Sequence, residues 1–364
     1  MEIVVICSLI ALFLTYLESK RHMRNGMFYG FALVTFIGMI HYNYGNDYMS
    51  YLDIFEDVTR YSFNLKAILE KDYYNDPGWV LLCFLFKPFG GFFMLVAVLN
   101  LIQNAIIYIY IKEYVEKRWW IFGVFIYLFV TDLYLLSFSM MRQMFVVVMF
   151  LGMWKYIVKR KWWLPFVVFY LCSYIHGSAY VLLPFAFWGY VPMNKAKYLG
   201  VGYAVLLLML WLFGNMLNDI FQLALTMDES FTQYSETYDD VDKGLRIGFG
   251  FVVNMIPFVL SIKFLLSNNG HSCQQKSLVA LSTIYFIIAP FSLIIRLVSR
   301  VGYYFEIYAI ASLPLIYGDI KKVYIRRCLI ICYVVITVYS YFNFFNEGVF
   351  ALPYAEFHTI FECI

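Results

Sequence analysis

Arg142, His176, Arg296 and Arg300 stand in or beside apolar stretches long enough to cross a lipid bilayer. A cation near hydrocarbon costs roughly 2.5–3.5 kcal/mol on insertion scales, so an ionisable residue in such a place reads first as a functional one. An arginine offers a planar fork of donors that fits phosphate or carboxylate oxygens, and it keeps its charge when partly desolvated. Arg296 and Arg300 are four residues apart, so on a helix they share a face and can grip two oxygens of one diphosphate. His176, in Tyr174-Ile175-His176-Gly177-Ser178-Ala179, can take a proton from a hydroxyl as a neutral imidazole. Together these residues describe a site for an anionic substrate.

Each has a plainer competing explanation. Arg142, in Ser139-Met140-Met141-Arg142-Gln143, sits where a span ends and can snorkel to the interface. His176 can hydrogen-bond between helices. Arg296 and Arg300, followed by Tyr303 and Tyr304, can form an interfacial belt. Arg246 is a further candidate by position, and it equally suits an anchor that ends an acidic loop. Two more motifs pair a carboxylate with aromatic rings: Gly45-Asn46-Asp47-Tyr48 with Tyr51, and Asp76-Pro77-Gly78-Trp79. Carboxylates accept hydroxyl hydrogen bonds and ring faces stack on sugars, which makes Asp47, Tyr48 and Tyr51 candidates for sugar binding. Gly-Asn-Asp is also ordinary turn chemistry.

The elements that would hold these residues are apolar helices. Hydrophobic residues make up 63% of the 364, aromatic 21% and charged 14%, with mean hydropathy +0.71. A soluble chain carries about 25% charged residues, so the predicted class is an all-α polytopic membrane protein. The net charge is +3 and the basic residues lie in short clusters between apolar runs, which argues against nucleic acid as a partner. Seven cysteines without a CxxC pair suggest no disulfide framework. The apolar run from Ile3 to Leu17 lacks a basic region before it and a small-residue cleavage site after it, so it is expected to be a retained first span.

Twelve spans are expected, over 2–18, 26–42, 89–111, 119–139, 141–158, 162–176, 178–192, 198–225, 246–266, 277–295, 301–318 and 328–345. With a short hairpin kept at His176-Gly177, every lysine- and arginine-rich loop falls on one side, which the positive-inside rule assigns to the cytoplasm. All four candidate ionisable residues then face the opposite side, with both termini. The outer side holds two larger loops, about 42–88 and 226–245, over one transmembrane domain of residues 1–364. In the first loop Tyr48, Tyr51, Leu52 and Phe55 have helical spacing and predict a short interfacial helix.

No GxGxxG, Walker loop, HExxH or GxSxG stands in a suitable context, so ATP-driven transport, dinucleotide chemistry and zinc or serine hydrolysis have no support. The succession Gly45-Asn46-Asp47-Tyr48 with Tyr51, Asp76-Pro77-Gly78-Trp79, Met141-Arg142-Gln143, His176-Gly177-Ser178-Ala179 and Arg300 with Tyr303-Tyr304 resembles the EpsG and Wzy group of polysaccharide polymerases. The likeness runs from about residue 40 to 315. It departs where that group often has small residues after Arg-Gln, because this chain has Met144-Phe145-Val146.

The resemblance implies a glycosyltransferase of the bacterial inner membrane, acting on its periplasmic face with a glycosyltransferase C-like helical fold. Its substrates would be donor and acceptor oligosaccharides linked to undecaprenyl diphosphate, as in O-antigen and lipopolysaccharide biosynthesis. Membrane lipids and a chain-length regulator protein would be its partners, and no cofactor is implied. In that scheme His176 and Arg142 are catalytic, while Arg296, Arg300, Asp47, Tyr48, Tyr51, Arg246 and Tyr303 bind substrate. Asp240-Val241-Asp242 resembles the metal-binding DxD of many glycosyltransferases, yet it lies in an acidic run better read as a solvated loop, and no metal is expected. Two other classes remain as alternatives: a flippase of lipid-linked oligosaccharide, and a membrane acyltransferase acting on a surface glycan.

Overall fold

Apolar side chains at helical spacing on the outside of the first helix show what solvent the fold is built for. In α1 (Glu2–Ser19), Ile3, Ile6, Leu9, Ile10, Phe13 and Tyr16 face outward while Val4, Cys7, Ala11 and Thr15 are buried. Such a stripe suits contact with lipid. The structure, a computed structural model, describes residues 2–131, 133–226, 249–267, 270–291, 296–345, 352–354 and 356–362. The chain divides into two compact units, residues 1–191 with 334–364, and residues 192–333.

In the first unit, α1 and α2 (Gly26–Ile40) form a tight hairpin. Gly26 and Gly30 let the backbones meet, since a Cβ on Gly26 would lie 2.1 Å from the Leu14 carbonyl oxygen and one on Gly30 2.9 Å from that of Ala11. Strand β1 (His41–Tyr42) follows, and then three helices occupy the stretch expected as the first outer loop: α3 (Tyr48–Arg60), α4 (Leu65–Leu69) and α5 (Pro77–Phe86). The helix predicted from Tyr48, Tyr51, Leu52 and Phe55 is α3, which buries Tyr48, Tyr51, Phe55 and Val58. These side chains join Trp79, Val80 and Cys83 of α5, Phe92, Leu95, Val96 and Leu99 of α6 (Gly91–Tyr114) and Met141 in one core. Each fully buried large apolar side chain contributes about 1.5–3 kcal/mol.

Two expected spans of the first unit take another form. Residues 119–139 were expected to be one helix, but α7 (Trp120–Phe129) is 10 residues long, and the chain leaves it through turns into a 3-10 helix at Leu135–Phe138. Turn bonds such as Leu133 N–H to the Val130 carbonyl (3.1 Å) and Tyr134 N–H to that of Tyr127 (3.2 Å) satisfy the backbone there. Leu133, Tyr134, Leu135, Phe138 and Ser139 are all buried, the condition under which irregular backbone survives in a membrane protein. After α8 (Met141–Gly152), α9 (Trp154–Val158) and α10 (Trp163–Ser173), the expected span 178–192 is a 3-10 helix over Gly177–Tyr190 with Pro184 inside. Proline removes an α-helical hydrogen bond. The steeper rise of about 2.0 Å per residue takes fourteen residues over about 28 Å. This segment packs against α10, so the short hairpin at His176-Gly177 is present.

The second unit contains α11 (Ala196–Thr226), α12 (Phe249–Leu266), α13 (Cys273–Phe291), α14 (Arg296–Glu306), α15 (Ala309–Gly318) and the first part of α16 (Val323–Phe344). The expected span 301–318 is broken between α14 and α15. Among the described residues, five helical segments are long and apolar enough to cross a membrane: Glu2–Ser19, Gly91–Tyr114, Met141–Val158, Met193–Phe213 and Val323–Phe344. Five more apolar helices are shorter. The protein is a helical, multi-pass membrane protein.

A last segment was not anticipated. Strand β2 (His358–Thr359) returns to the first unit and pairs antiparallel with β1, His41 opposite Thr359 and Tyr42 opposite His358.

Candidate functional site

Arg142 is the second residue of α8, where the positive end of the helix dipole disfavours a cation. Its surroundings supply the compensation. Nη1 donates to Oδ2 of Asp76, and Nη2 donates to the Tyr74 hydroxyl at 3.2 Å. The guanidinium carbon lies 5.0 Å from the ring centre of Tyr51, 5.2 Å from that of Tyr74 and 5.8 Å from that of Trp79. Cation–π contacts of this kind contribute about 0.5–2 kcal/mol each. The Arg142 side chain is 13% exposed and that of Asp76 20%, so the pair is largely removed from water while an edge stays open. Nε of Arg142 and the indole Nε1 of Trp79 are buried without a hydrogen-bond partner.

Asp76 is in this position because of its motif. It occupies the N-cap of α5, Pro77 starts the helix, and the carboxylate, which makes no cap bond, is turned to Arg142 instead. Burial pushes the Asp76 carboxyl above its ordinary range, against the opposite pull of Arg142 and Lys71. Burial likewise raises the Tyr51 hydroxyl, with Arg142 opposing. Gly78 brings in the next piece: its N–H donates to the Tyr174 carbonyl at 2.8 Å, and a Cβ there would lie 2.9 Å from that carbonyl. The turn Tyr174-Ile175-His176 is thereby seated on the start of α5. His176 is half-buried between α10 and the 3-10 helix, its N–H bonded to the Cys172 carbonyl and its own carbonyl accepting from Ala179 N–H, both at 3.0 Å. Gly177 has open space around it, so its smallness is not required by helix packing.

The fourth piece is the Gly45-Asn46-Asp47 loop. Gly45 has φ +110°, and a Cβ on it would sit 2.9 Å from the Ser139 backbone. Asp47 N–H donates to the Ser139 hydroxyl at 3.2 Å, three residues before Arg142. Four separate stretches, 45–51, 74–79, 139–142 and 174–176, are therefore built into one place within the first unit.

The remaining predicted residues are placed as follows. Tyr48 is fully buried and donates to the His41 carbonyl at 3.2 Å, with its ring against His41 and Phe92. It is a core residue, and the substrate contact expected of it has no exposed surface to use. Tyr51 forms one wall around Arg142. Arg300 and Tyr303 are half-buried on α14 of the second unit. Arg296 opens the same helix one turn earlier, and its side chain lies outside the described residues, as do Arg246, Asp240 and Asp242. The sequence reading missed Tyr74 and the pairing of Asp76 with Arg142. The Asp-Pro-Gly-Trp motif was the signal for Asp76, and a single tyrosine in a loop offered none for Tyr74.

An apolar helical scaffold carrying an enclosed arginine, carboxylate and aromatic cluster defines a polytopic membrane protein with a built polar site. The chain belongs to the EpsG family, whose profile matches residues 25–355. No curated protein and no solved structure matches it. Membership of this family suggests a polysaccharide polymerase type of function.

Proposed function

We propose that the protein is a glycosyltransferase that joins repeat units carried on undecaprenyl diphosphate, at the periplasmic face of the bacterial inner membrane, to build O-antigen or a related surface glycan. The observation that carries this reading is the enclosure of Arg142 by Asp76, Tyr51, Tyr74 and Trp79, in a chain of the EpsG family. The acceptor hydroxyl attacks the anomeric carbon of the donor chain. A glycosidic bond forms, the bond from that carbon to the diphosphate oxygen breaks, and the hydroxyl proton passes to His176. The departing diphosphate takes its negative charge to Arg142, whose Nε offers a donor not engaged elsewhere. The aromatic walls exclude water and strengthen that contact. Asp47 accepts hydrogen bonds from sugar hydroxyls, and Tyr51 contributes to the substrate site by backing the Arg142 guanidinium. Arg296, Arg300 and Tyr303 keep a role in holding diphosphate, from their charge and one-turn spacing on α14, and Arg246 keeps a secondary one.

A strain lacking the protein, complemented with wild type or with Arg142→Ala, tests this reading through the banding of its surface polysaccharide. The expected result is a long ladder from wild type and a single capped repeat unit from the variant, with equal protein in the membrane. Complete absence of exported glycan in the deletion strain would indicate a flippase. Full-length glycan lacking acyl groups would indicate an acyltransferase, and a normal ladder from Arg142→Ala would overturn the site.

A further inference from the structure

Residues 352–354 and 356–362 pack against the stretch that leads into the Asp47 loop of the Arg142 site. Strand β2 pairs with β1, directly before the loop that carries Asp47. A two-residue ladder has little stability alone, and aromatic contacts reinforce it. The Tyr44 ring, fully buried, packs edge-on against Tyr354 at 5.1 Å, against Phe357 at 5.2 Å and against Phe138 at 5.2 Å. Tyr354, 1% exposed, also meets Phe344 of α16 at 5.4 Å. The Pro353 carbonyl accepts the Gly45 N–H at 3.2 Å. At the end of the strand, the Thr359 N–H and hydroxyl both donate to Glu362, at 3.1 and 3.0 Å, which closes the segment on itself.

Gly45 is thus held on two sides, by Pro353 and by the Ser139 backbone. The layers run from Pro353-Tyr354 through Tyr44-Gly45 to Ser139, and Ser139 leads directly into the turn that starts α8 and presents Arg142. We infer that residues 352–354 and 356–362 are a positioning element of the Arg142 site, acting through the Tyr44–Asp47 loop; this rests on the function proposed above. Tyr354 is its principal anchor, because it fills the space between Tyr44 and α16. Without it the loop gains freedom, Asp47 drifts from Ser139, and the α8 start loses a neighbour that fixes Arg142. Displacement of such groups by about 1 Å lowers turnover on the order of a hundredfold.

The test compares Tyr354→Ala and Tyr354→Phe in the full chain. Tyr354→Ala is expected to lower long-chain product by tenfold or more, on the order of the misplacement effect, with unchanged protein in the membrane. Hydrogen exchange should rise in peptides covering residues 42–48 and stay unchanged over α1 and α2. Tyr354→Phe keeps the ring contacts and should restore both readings. A loosened loop with normal product would overturn the inference, and so would exchange that rises across the whole first unit, which marks a general structural role. Arg142→Ala in the same assay separates the two levels. A normal ladder from Arg142→Ala defeats the site itself, whereas its loss beside a normal ladder from Tyr354→Ala defeats only the positioning role.

Discussion

Two shielded ion pairs stand at opposite ends of α6, and they are built differently. Near its last turn, Lys112 meets Glu18 at 2.9 Å, and the other Glu18 oxygen accepts the Met27 N–H at 2.8 Å. Lys112 also lies 4.5 Å from the Trp120 ring centre. Both carboxylate oxygens are used, and the pair staples the α1–α2 turn to α6. Near the first turns of α6, Arg142 and Asp76 are also wrapped in aromatic rings, yet Arg142 Nε and Trp79 Nε1 have no partner. Leaving a buried donor unused costs about 1–3 kcal/mol. The Lys112 pair thus ties three helices together, whereas the Arg142 pair keeps a donor edge turned to the site.

Neutralising each pair should break the comparison most clearly. Arg142→Gln is expected to lower long-chain product on the order of a hundredfold or more, with normal abundance. Glu18→Gln is expected to do the reverse. It should cost about 1–3 kcal/mol, discounted because Lys112 is partly exposed, seen as a lower melting temperature in detergent while surviving protein makes chains of normal length. The same phenotype from both variants would remove the distinction.

Gly78→Ala comes next, because its Cβ must displace the Tyr174 carbonyl. A cost of about 1–3 kcal/mol is expected, with product reduced severalfold as the Tyr174–His176 turn shifts on the start of α5. Gly177→Ala, one residue after His176 but in open space, should stay within about 0.5 kcal/mol of wild type. Equal effects at the two glycines would show that the Gly78–Tyr174 contact positions nothing.

A smaller effect is expected from pH. Since the Asp76 carboxyl is raised, it is protonated as pH falls at values above the ordinary carboxylate range, and Arg142 then loses its anionic partner. Product formation should show an acid limb displaced upward, and Asp76→Asn should flatten it. The sign for stability is opposite to that of the usual paired carboxylate: this group favours the fold when protonated, and the contribution is lost as pH rises through the raised value. An unaltered profile in Asp76→Asn would remove Asp76 from the titration. The smallest change is expected of Tyr48→Phe, which loses one buried hydrogen bond worth about 1 kcal/mol and should leave chain length unchanged in the same banding assay.

Much of the first unit was legible because it follows from local pattern. Helical spacing at Tyr48, Tyr51 and Phe55 identified α3, and charge bias identified the hairpin at His176. The motifs around Asp47, Asp76 and His176 stood out because glycine and proline punctuate them, and Arg142 because it is a charge beside an apolar run. Their glycines proved to have a second meaning: Gly45 and Gly78 are bare so that another backbone can come within contact distance. The break after Phe129 was not legible, since the apolar composition of 119–139 is the same whether the chain runs straight or turns inside a protein core. Arg296 and Arg300 do fall on one helix, α14, as their spacing suggested, yet nothing local foretold its end at Glu306.

By itself, the sequence determined the solvent of this protein and the chemistry available to it, because hydropathy and residue type act through transfer energies that need no partner. It also determined the short helix that carries Tyr48, Tyr51 and Phe55, through their spacing. Only the tertiary structure decided that Arg142 would meet Asp76 across 66 positions of chain, that Tyr48 would be core while Tyr51 became a wall of the site, and that residues 352–354 and 356–362 would return to hold the loop before α3. Such contacts depend on the three-dimensional path of the backbone, and a guanidinium selects its partner by geometry that no local pattern encodes.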